Sequence, residues 1–345
     1  MTTLFEAEVR EQPAALARLL ESGREAAEAA AARIRGRDVR FAVLAARGSS
    51  DNAARYGQYV LGIRNRLVAA LATPSLFTQY QVAPSLAGAA VVGISQSGQS
   101  PDIVAVHREG RRQGAPTLAI TNAPDSPLAA AADVVFPLFA GAERAVAATK
   151  TYTAQVAALA MLSAALDPAG GAWDELRSLP ERVARAIDLN LPRVRLAEAF
   201  RDHARLLVLG RGYNFATALE ITLKVKETSG VMSDGYSSAD FLHGPKAILE
   251  RGLPVLAVAT GRVFEDLDQV MALVRQAGAP LVAISDRDDV LCAAQVALPL
   301  PLGTPEWLSP VVAIVPGQLW ALGLSLARGT NPDAPPGLAK VTQTL

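Results

Sequence analysis

A loop of small polar residues follows an apolar segment in the first third of the chain. Residues 95–100 read SQSGQS, directly after the apolar run Ala89–Ile94, and Pro101 then begins a helical pattern. Three hydroxyls and two amides supply hydrogen-bond donors, and Gly98 allows close approach of the backbone. Ser100 is a favoured N-cap residue ahead of a proline, so the loop leads into a helix N-terminus, which attracts anions. The pattern predicts a cup for an oxyanion, and an ordinary polar turn is the alternative.

A second polar loop has the same setting. Residues 47–52 read RGSSDN, again between a strand-like run and a helical pattern. In an open parallel sheet both loops lie at the carboxyl edge, where ligands bind. The first loop has no lysine after its glycine, which excludes a nucleotide P-loop, and its hydroxyl and amide donors suit a single phosphate monoester. For the second loop, an N-cap turn at Ser49, Ser50 or Asp51 remains the alternative.

Three charged residues share one face of a predicted helix. In the segment ALEITLKVKE, Glu220, Lys224 and Glu227 stand at positions i, i+4 and i+7. The helix follows a strand and a glycine-rich turn, so it begins at the carboxyl edge of its sheet. The spacing also fits a solvated stripe with a stabilising Glu-to-Lys pair, and that alternative stays open at this point.

The remaining candidate groups are few. His243 lies in SSADFLHGPKA, a loop of small polar residues, where it is either a functional or a structural histidine. His107 and His203 lie in charged helical surroundings, so we expect them to be solvated. The single cysteine, Cys292, excludes an internal disulfide framework and fits a reducing compartment. No metal-ligand spacing is visible, and we expect neither a metal nor a cofactor. Carboxylate, ammonium and imidazole beside a phosphate cup suit proton transfer next to a carbonyl or imine.

Short apolar runs alternate with helical patterns along the chain. Residues 4–36 are rich in Ala, Glu, Arg and Leu and predict one or two helices. Continuous apolar strands separated by helices predict an α/β fold with parallel sheets covered on both faces. The predicted strands are Phe41–Ala45, Val91–Ile94, Pro116–Ile120, Val134–Leu138, Leu206–Leu209, Val255–Val258, Leu281–Ile284 and Val296–Leu300.

The second set of predicted strands repeats the first, and the motifs that align between the two sets keep a constant offset of 164 residues. AARGSS at 45–50 aligns with LGRGYN at 209–214, and GAPTLAITN aligns with GAPLVAISD. We predict a duplicated α/β domain whose joint lies between residues 167 and 195. The predicted organisation is amino-terminal helices in 1–36, a phosphate-binding domain in 37–175, a second domain in 195–330 and a tail in 331–345.

The repeat also bears on the polar loop. The second copy has ATGRVF where the first has SQSGQS. A turn that the fold requires would keep similar residues in both copies. The serines and glutamines therefore favour a function over a turn.

The amino-acid composition bears on which binding partners to expect. The chain has 345 residues, with 33 basic and 33 acidic side chains. This balance gives no electrostatic reason to expect binding to nucleic acid or to an acidic membrane surface. The N-terminus has no apolar signal core, and the uncharged, apolar stretch 307–327 contains prolines and predicts a buried helix rather than a membrane span. We therefore expect a cytoplasmic protein without nucleic-acid or membrane partners.

The motifs along the chain resemble those of the double sugar-isomerase (SIS) domain family, specifically the isomerase half of glucosamine-6-phosphate synthase. The matching motifs are SQSGQS, VAATK at 146–150, LKVKE at 223–227, LHGP at 242–245 and GLAK at 337–340. They occur in the order of the family and cover nearly the whole chain. The resemblance implies two SIS domains, each a flavodoxin-like, doubly wound parallel sheet flanked by helices.

The resemblance also implies roles for individual residues. Glu227 would move a proton between C1 and C2, Lys224 would support it, and His243 of the neighbouring subunit would open and close the sugar ring. Lys340 would meet the C2 carbonyl or imine. The residues implied to bind substrate are Gly48, Ser49, Ser50, Ser95, Gln96, Ser97, Ser100, Val146, Ala147 and Ala339.

Departures from the synthase indicate a different reaction. The synthase has an N-terminal glutaminase domain, whereas this sequence starts with a segment, FEAEVREQP, that resembles the linker after that domain. We expect no glutaminase and no ammonia from glutamine. RGSSD, SGQSPDI, AVAATK, SSADFLHGP and NPDAPPGLAKVTQTL look closest to stand-alone SIS-type glucosamine-6-phosphate deaminases, and Ala148 stands where the synthase commonly has serine.

The implied function is conversion of glucosamine 6-phosphate to fructose 6-phosphate and ammonia by a homodimer with shared active sites. A galactosamine-6-phosphate deaminase and a deglycase for phosphorylated fructosamines are the enzyme alternatives. A non-catalytic regulatory module that binds a sugar phosphate is the alternative from another class.

Overall fold

The computed structural model describes residues 2–167, 169, 171–262 and 264–340. The chain divides into two compact units. The first unit comprises residues 14–143, 150–178 and 339–340, and the second comprises residues 2–13, 144–149 and 179–338. Each unit contains one five-stranded parallel sheet.

Helices connect the strands and flank the sheets. In chain order they are α1 (Leu4–Arg10), α2 (Gln12–Ser22), α3 (Arg24–Arg35), α4 (Ser49–Asn65), α5 (Ser75–Thr78), α6 (Pro101–Arg112), α7 (Pro127–Ala130), α8 (Lys150–Leu166), α9 (Ala172–Arg177), α10 (Leu179–Asn190), α11 (Asn214–Ser229), α12 (Ser238–Leu242), α13 (Glu265–Gln276), α14 (Asp288–Ala293) and α15 (Ser309–Ala327). Short 3-10 helices cover Leu191–Phe200, Pro245–Ile248 and Glu306–Leu308.

The sheet of the first unit has the order β2-β1-β3-β4-β5. Its strands are β1 (Phe41–Ala45), β2 (Val68–Leu71), β3 (Ala89–Ser95), β4 (Thr117–Thr121) and β5 (Val134–Pro137). Every residue of β3 is buried, as is nearly all of α8, because helices cover both faces of the sheet. One side of the core joins β1 and β3 to α6 and α7 through Val43, Val91, Ile103 and Leu128.

The sheet of the second unit has the order β10-β9-β8-β6-β7. Its strands are β6 (Arg205–Gly210), β7 (Met232–Ser237), β8 (Val255–Ala259), β9 (Leu281–Ser285) and β10 (Val296–Pro299). The core packs β8 and β9 against the apolar face of α13. The helix α15 packs against α11 and α10, and almost all of its residues are buried.

The predicted α/β duplication is confirmed. The two sheets have the same strand order, and β1 pairs with β2 from Phe41 and Val68 as β6 pairs with β7 from Arg205 and Met232. All eight predicted strands are present, with ends that shift by at most two residues. The prediction omitted β2 and β7. Both are edge strands, and β7 reads MSDGYS, which has no apolar run to detect.

The predicted solvation of His107 is wrong. His107 lies on α6 with none of its surface exposed, because that face of the helix packs against β3. A Cβ built on Gly93 would lie 2.3 Å from its Nε2, so the glycine makes room for the ring. Burial lowers the pKa of His107 to about 4, with a smaller opposing effect from Asp133. His203 is partly buried.

One helical stretch among the described residues, Glu306–Ala327, is long and apolar enough to cross a membrane. Most of it, 89%, is buried inside the protein, as in the core helix of a globular fold.

Candidate active site

The two polar loops of the first unit lie side by side. β1 and β3 are neighbours in register, with Ala45 opposite Gly93. The loop after β1 leads into α4, and the loop after β3 leads into α6. In the sheet, β2 lies on one side of β1 and β3 lies on the other. The two loops therefore flank a topological switch point at the carboxyl edge. Two helix N-termini therefore begin at the place where an open α/β sheet binds ligands.

Local hydrogen bonds fix the shape of the SQSGQS loop. Oγ of Ser95 accepts from the Gly98 amide at 3.0 Å, and Oγ of Ser97 accepts from the Gln99 amide at 3.3 Å. Ser100 occupies the N-cap position as predicted, but its side chain makes no capping hydrogen bond. A hydroxyl that accepts a bond keeps its own proton to donate, so the loop can present several donors to an anion.

Gly98 has two reasons to be glycine. Its φ is +62°, in the left-handed region, and a Cβ there would lie 2.0 Å from Oγ of Ser126. The close neighbour is Ser126, the N-cap of α7, so the glycine lets the loop lie on that helix. Gly48 in the other loop has φ +56° and open space around the Cβ position.

The serines at the start of α4 differ in surroundings. Ser50 is buried, and its Oγ accepts from Nε2 of Gln155 on α8 at 3.0 Å, whereas Ser49 is partly exposed. Gln96 is also partly exposed, and its backbone carbonyl accepts a hydrogen bond from the backbone amide of Asn122 at 3.2 Å. The structure thus brings the predicted phosphate-binding residues of both loops to one sheet edge.

Sequence reasoning missed an ion pair that bridges these loops. Arg47 precedes α4, and both its Nε and Nη2 lie 2.7 Å from Oδ2 of Asp102, which is in the first turn of α6 and 1% exposed. Burial raises the pKa of Asp51, while Arg55 and Arg47 oppose the shift. The arginine was visible in the RGSSDN motif, but its partner is 55 residues away in the sequence.

Lys340 is held by a carboxylate that the sequence analysis also missed. Its Nζ lies 2.7 Å from Oε2 of Glu143, whose side chain is fully buried. Glu143 also accepts from the amide and hydroxyl of Thr151 at 3.1 and 2.7 Å. The tail therefore has a defined path as far as Lys340, with Ala339 exposed. Residues 341–345 of the predicted tail lie outside the described residues.

The charged face of α11 is buried in the second unit. The side chains of Glu220 and Lys224 are 0% exposed, and Nζ of Lys224 lies 3.5 Å from Oε1 of Glu220. The same ammonium forms an ion pair with Oε2 of Glu227, whose side chain is 23% exposed. This geometry excludes a solvated stripe. One cation is fixed between two carboxylates, and Glu227 is the one that reaches the surface of its unit.

Glu227 and His243 do not meet within the second unit. α11 begins at Asn214 near the carboxyl edge, and Glu227 is in its last turn, about 20 Å further along at 1.5 Å per residue. His243 follows β7 and α12, so it is at the carboxyl edge. It is exposed, which excludes a buried structural histidine.

Val146 and Ala147 lie in the second unit. Val146 is half-buried, Ala147 is buried, and the Val146 amide donates to the Asp333 carbonyl at 3.0 Å. Across the described ranges, no group of three or more His, Cys, Asp or Glu side chains could hold a metal ion.

Comparison with known proteins identifies the family. The model of the SIS domain matches residues 37–165 and again 199–321. The chain belongs to the SIS domain family. A glutamine–fructose-6-phosphate aminotransferase (isomerizing) from Thermococcus kodakarensis is 34% identical over 344 residues, 96% of this chain and 56% of that protein. The chain spans about half the length of the curated relatives it matches. The predicted resemblance is therefore confirmed.

Solved structures agree with this family. A candidate phosphosugar isomerase from Silicibacter pomeroyi is 35% identical, with a TM-score of 0.86 over 96% of this chain and 100% of that one. A glucosamine-6-phosphate deaminase from Thermotoga maritima is 20% identical, with a TM-score of 0.78 over 99% and 100%. At that identity the deaminase shows the fold alone.

Proposed function

We propose that the protein is an amino-sugar-phosphate isomerase that releases ammonia, converting glucosamine 6-phosphate to fructose 6-phosphate. The observation that carries the proposal is the arrangement on α11, where fully buried Lys224 pairs with a partly exposed carboxylate, Glu227. A carboxylate held in one orientation by a fixed cation is suited to moving a proton between adjacent carbons. The match to a candidate phosphosugar isomerase over its full length supports the same class of substrate.

The cup of the first unit would bind the phosphate. The paired helix N-termini and the hydroxyls of Ser95, Ser97 and Ser100 offer donors to its oxygens. Ser49, Ser50 and Gln96 complete the proposed set. Neutral donors suit a phosphate monoester because each N–H or O–H can bind one of its oxygens.

The chemistry needs no change of oxidation state. With the sugar open, C1 is an aldehyde and C2 carries the amine. Glu227 would take the C2 proton while the aldehyde oxygen gains one, giving an enolamine. It would then return a proton to C1 while the amine gives one up, giving a ketose imine at C2. Water then adds to the imine, and ammonia leaves with fructose 6-phosphate as the other product. Lys224 would hold the carboxylate in place during both transfers.

Two further groups have proposed roles. Lys340 forms an ion pair with Glu143, and its ammonium would polarise the C2 carbonyl or imine of the substrate. His243 is exposed, which suits a residue that completes the site of a neighbouring subunit and assists ring opening. The proposed assembly is therefore at least a homodimer, in the cytoplasm.

The test is a panel of amino-sugar phosphates with ammonia and ketose phosphate as readouts. Glucosamine 6-phosphate should release both in equal amounts, and the galacto and fructosamine analogues should react more slowly. Glu227→Gln should still bind the sugar phosphate and lose about 10²–10⁴-fold in rate, together with exchange of the C2 hydrogen with deuterated water. Glu250→Gln is the matched control, since Glu250 is an exposed carboxylate of the same unit. Binding without turnover of any panel member would favour a regulatory module instead.

A further inference from the structure

The loop of residues 144–149 in the second unit is held by distant segments of the chain. This loop contains Val146 and Ala147, which the resemblance to the SIS family implies contact the substrate. Three consecutive backbone amides, those of Arg144, Ala145 and Val146, donate to acceptors outside the loop. A loop with three fixed amides has little freedom to move.

The first acceptor is a buried carboxylate on the amino-terminal helix. Glu8 of α1 is 4% exposed. Its Oε1 accepts from the Arg144 amide, and its Oε2 accepts from the Ala145 amide at 3.3 Å. Both carboxylate oxygens thus bind the loop, and hydrogen bonds to a charged acceptor are stronger than neutral ones.

The second acceptor is at the start of the tail. The backbone carbonyl of Asp333 accepts from the Val146 amide at 3.0 Å. The side chain of Asp333 caps α1, because Oδ2 accepts from the Leu4 amide at 2.9 Å and Oδ1 from the Phe5 amide at 2.8 Å. One residue therefore ties the loop, the first helix and the tail together.

A third contact fixes the other end of the loop. Nε2 of Gln318 on α15 donates to the Thr149 carbonyl at 3.3 Å, and its Oε1 accepts from Nε2 of Gln12 at 2.8 Å. Both glutamines are 0% exposed. Gln12 is the first residue of α2, two positions after the end of α1, so the same end of the chain orients this contact as well.

We infer that Glu8 and Asp333 are positioning residues, forming a terminal clamp that sets the backbone of residues 144–147 for contact with the substrate. The part of this inference that concerns substrate rests on the proposed function. The clamp itself rests on the hydrogen bonds alone. Neither residue touches the reacting atoms in this scheme, and each acts through the loop.

Amide hydrogen exchange tests the clamp directly. In Glu8→Gln the side chain keeps its shape and has one acceptor oxygen instead of two. Exchange at Arg144 and Ala145 should accelerate about tenfold or more, the factor that corresponds to loss of one moderate hydrogen bond. Glu6→Gln is the control, since Glu6 lies on the same helix and pairs with Arg10 at the surface. Unchanged exchange in Glu8→Gln would overturn the clamp.

Asp333→Asn provides an independent variant if Glu8→Gln does not fold. It alters only the side chain that caps α1, yet exchange at Val146 should accelerate because the carbonyl that binds Val146 belongs to the same residue. Asp202→Asn, at a carboxylate whose side chain is 89% exposed, is the control. Equal protection of Val146 in both variants would contradict the role of Asp333.

Kinetics separate positioning from mere stabilisation. A loss of stability lowers the fraction of protein that is active and leaves KM unchanged. A displaced loop instead raises KM, because it weakens the contact with the substrate. The clamp variants should raise KM for glucosamine 6-phosphate about tenfold, with kcat per folded molecule changed by less than about threefold. Faster exchange with an unchanged KM would overturn the role of the loop in binding. If the wild-type protein acts on no sugar phosphate, the proposed function fails, and the exchange comparison still decides the clamp.

Discussion

Replacing Lys224 by methionine should destabilise the second unit by about 3–5 kcal/mol. Methionine has a similar length and leaves the apolar stem in place, so the change removes little more than the ammonium. Nζ of Lys224 lies 3.5 Å from Oε1 of Glu220, and both side chains are 0% exposed. Without that cation, the buried Glu220 carboxyl loses its ion-pair partner on the same helix, and breaking a buried ion pair in this way carries a cost of that size.

The magnitude can be assigned to Glu220 rather than to Glu227. The side chain of Glu227 is 23% exposed, so water screens its charge when the ammonium is lost. Removing the buried carboxylate too should therefore recover most of the loss. In Lys224→Met with Glu220→Gln, we expect stability within about 1.5 kcal/mol of the wild type, because replacing both members of a buried pair is often nearly neutral.

Urea unfolding followed by tryptophan fluorescence is the assay. Two of the three tryptophans, Trp307 and Trp320, are in the second unit, so the signal reports mainly on that unit. Lys226→Met is the matched control, because Lys226 is an exposed lysine on the same helix, and it should change stability by less than about 0.5 kcal/mol. Equal effects of the two lysine substitutions, or no recovery in the double variant, would refute a buried pair between Lys224 and Glu220.

Four further outcomes can be measured. Ser97→Ala should weaken binding of glucosamine 6-phosphate about tenfold in calorimetry, with a smaller change in turnover, since one hydrogen bond to phosphate is lost. Lys340→Ala should slow ammonia release by about 10²-fold or more per folded molecule, and a wild-type rate would remove the tail from the proposed mechanism. The pKa of His107 in the folded protein, about 4, is below its unfolded value of 6.5, so the unfolded chain binds more protons between these pH values. Stability should therefore fall by up to about 3 kcal/mol as the pH drops through that window, and His107→Leu should lose this dependence in urea unfolding at several pH values. Arg47→Gln should raise KM for the sugar phosphate. Arg211→Gln, which breaks the equivalent ion pair with Asp266 in the second unit, should leave KM unchanged and affect only the stability of that unit.

Most strands were predictable because central parallel strands are apolar along their whole length. β3 and β8 are buried at every residue and stand out in the sequence. The edge strands β2 and β7 were not predictable by the same rule, since each has a neighbour on only one side and carries exposed or polar residues. The repeat could not have corrected this error, because the two omitted strands occupy the same place in both copies.

Side-chain placement was harder to predict than the elements. His107 was assigned to solvent from its charged sequence neighbours, although it is four residues after Ile103 and three before Gly110, on the buried face of α6. The space for its ring comes from Gly93, and no pattern in the sequence links the two. Glu8 and Glu143 were missed for a similar reason, since each finds its partners far along the chain.

The two copies separate what the fold needs from what the proposed function needs. In the first unit Arg47 pairs with Asp102 at 2.7 Å, and at the equivalent positions of the second unit Arg211 pairs with Asp266 at 3.0 Å. One pair links the loop before α4 to the first turn of α6, and the other links the loop before α11 to the first turn of α13. Each pair therefore connects the two loops at the carboxyl edge of its own sheet. The copies keep this ion pair although SQSGQS in one is ATGRVF in the other. A pair that persists without the cup is explained by the architecture, and the serines and glutamines, which do not persist, require a reason outside it. The proposed phosphate would supply that reason in the first unit only, and for the same reason we expect loss of Arg47, but not of Arg211, to weaken substrate binding.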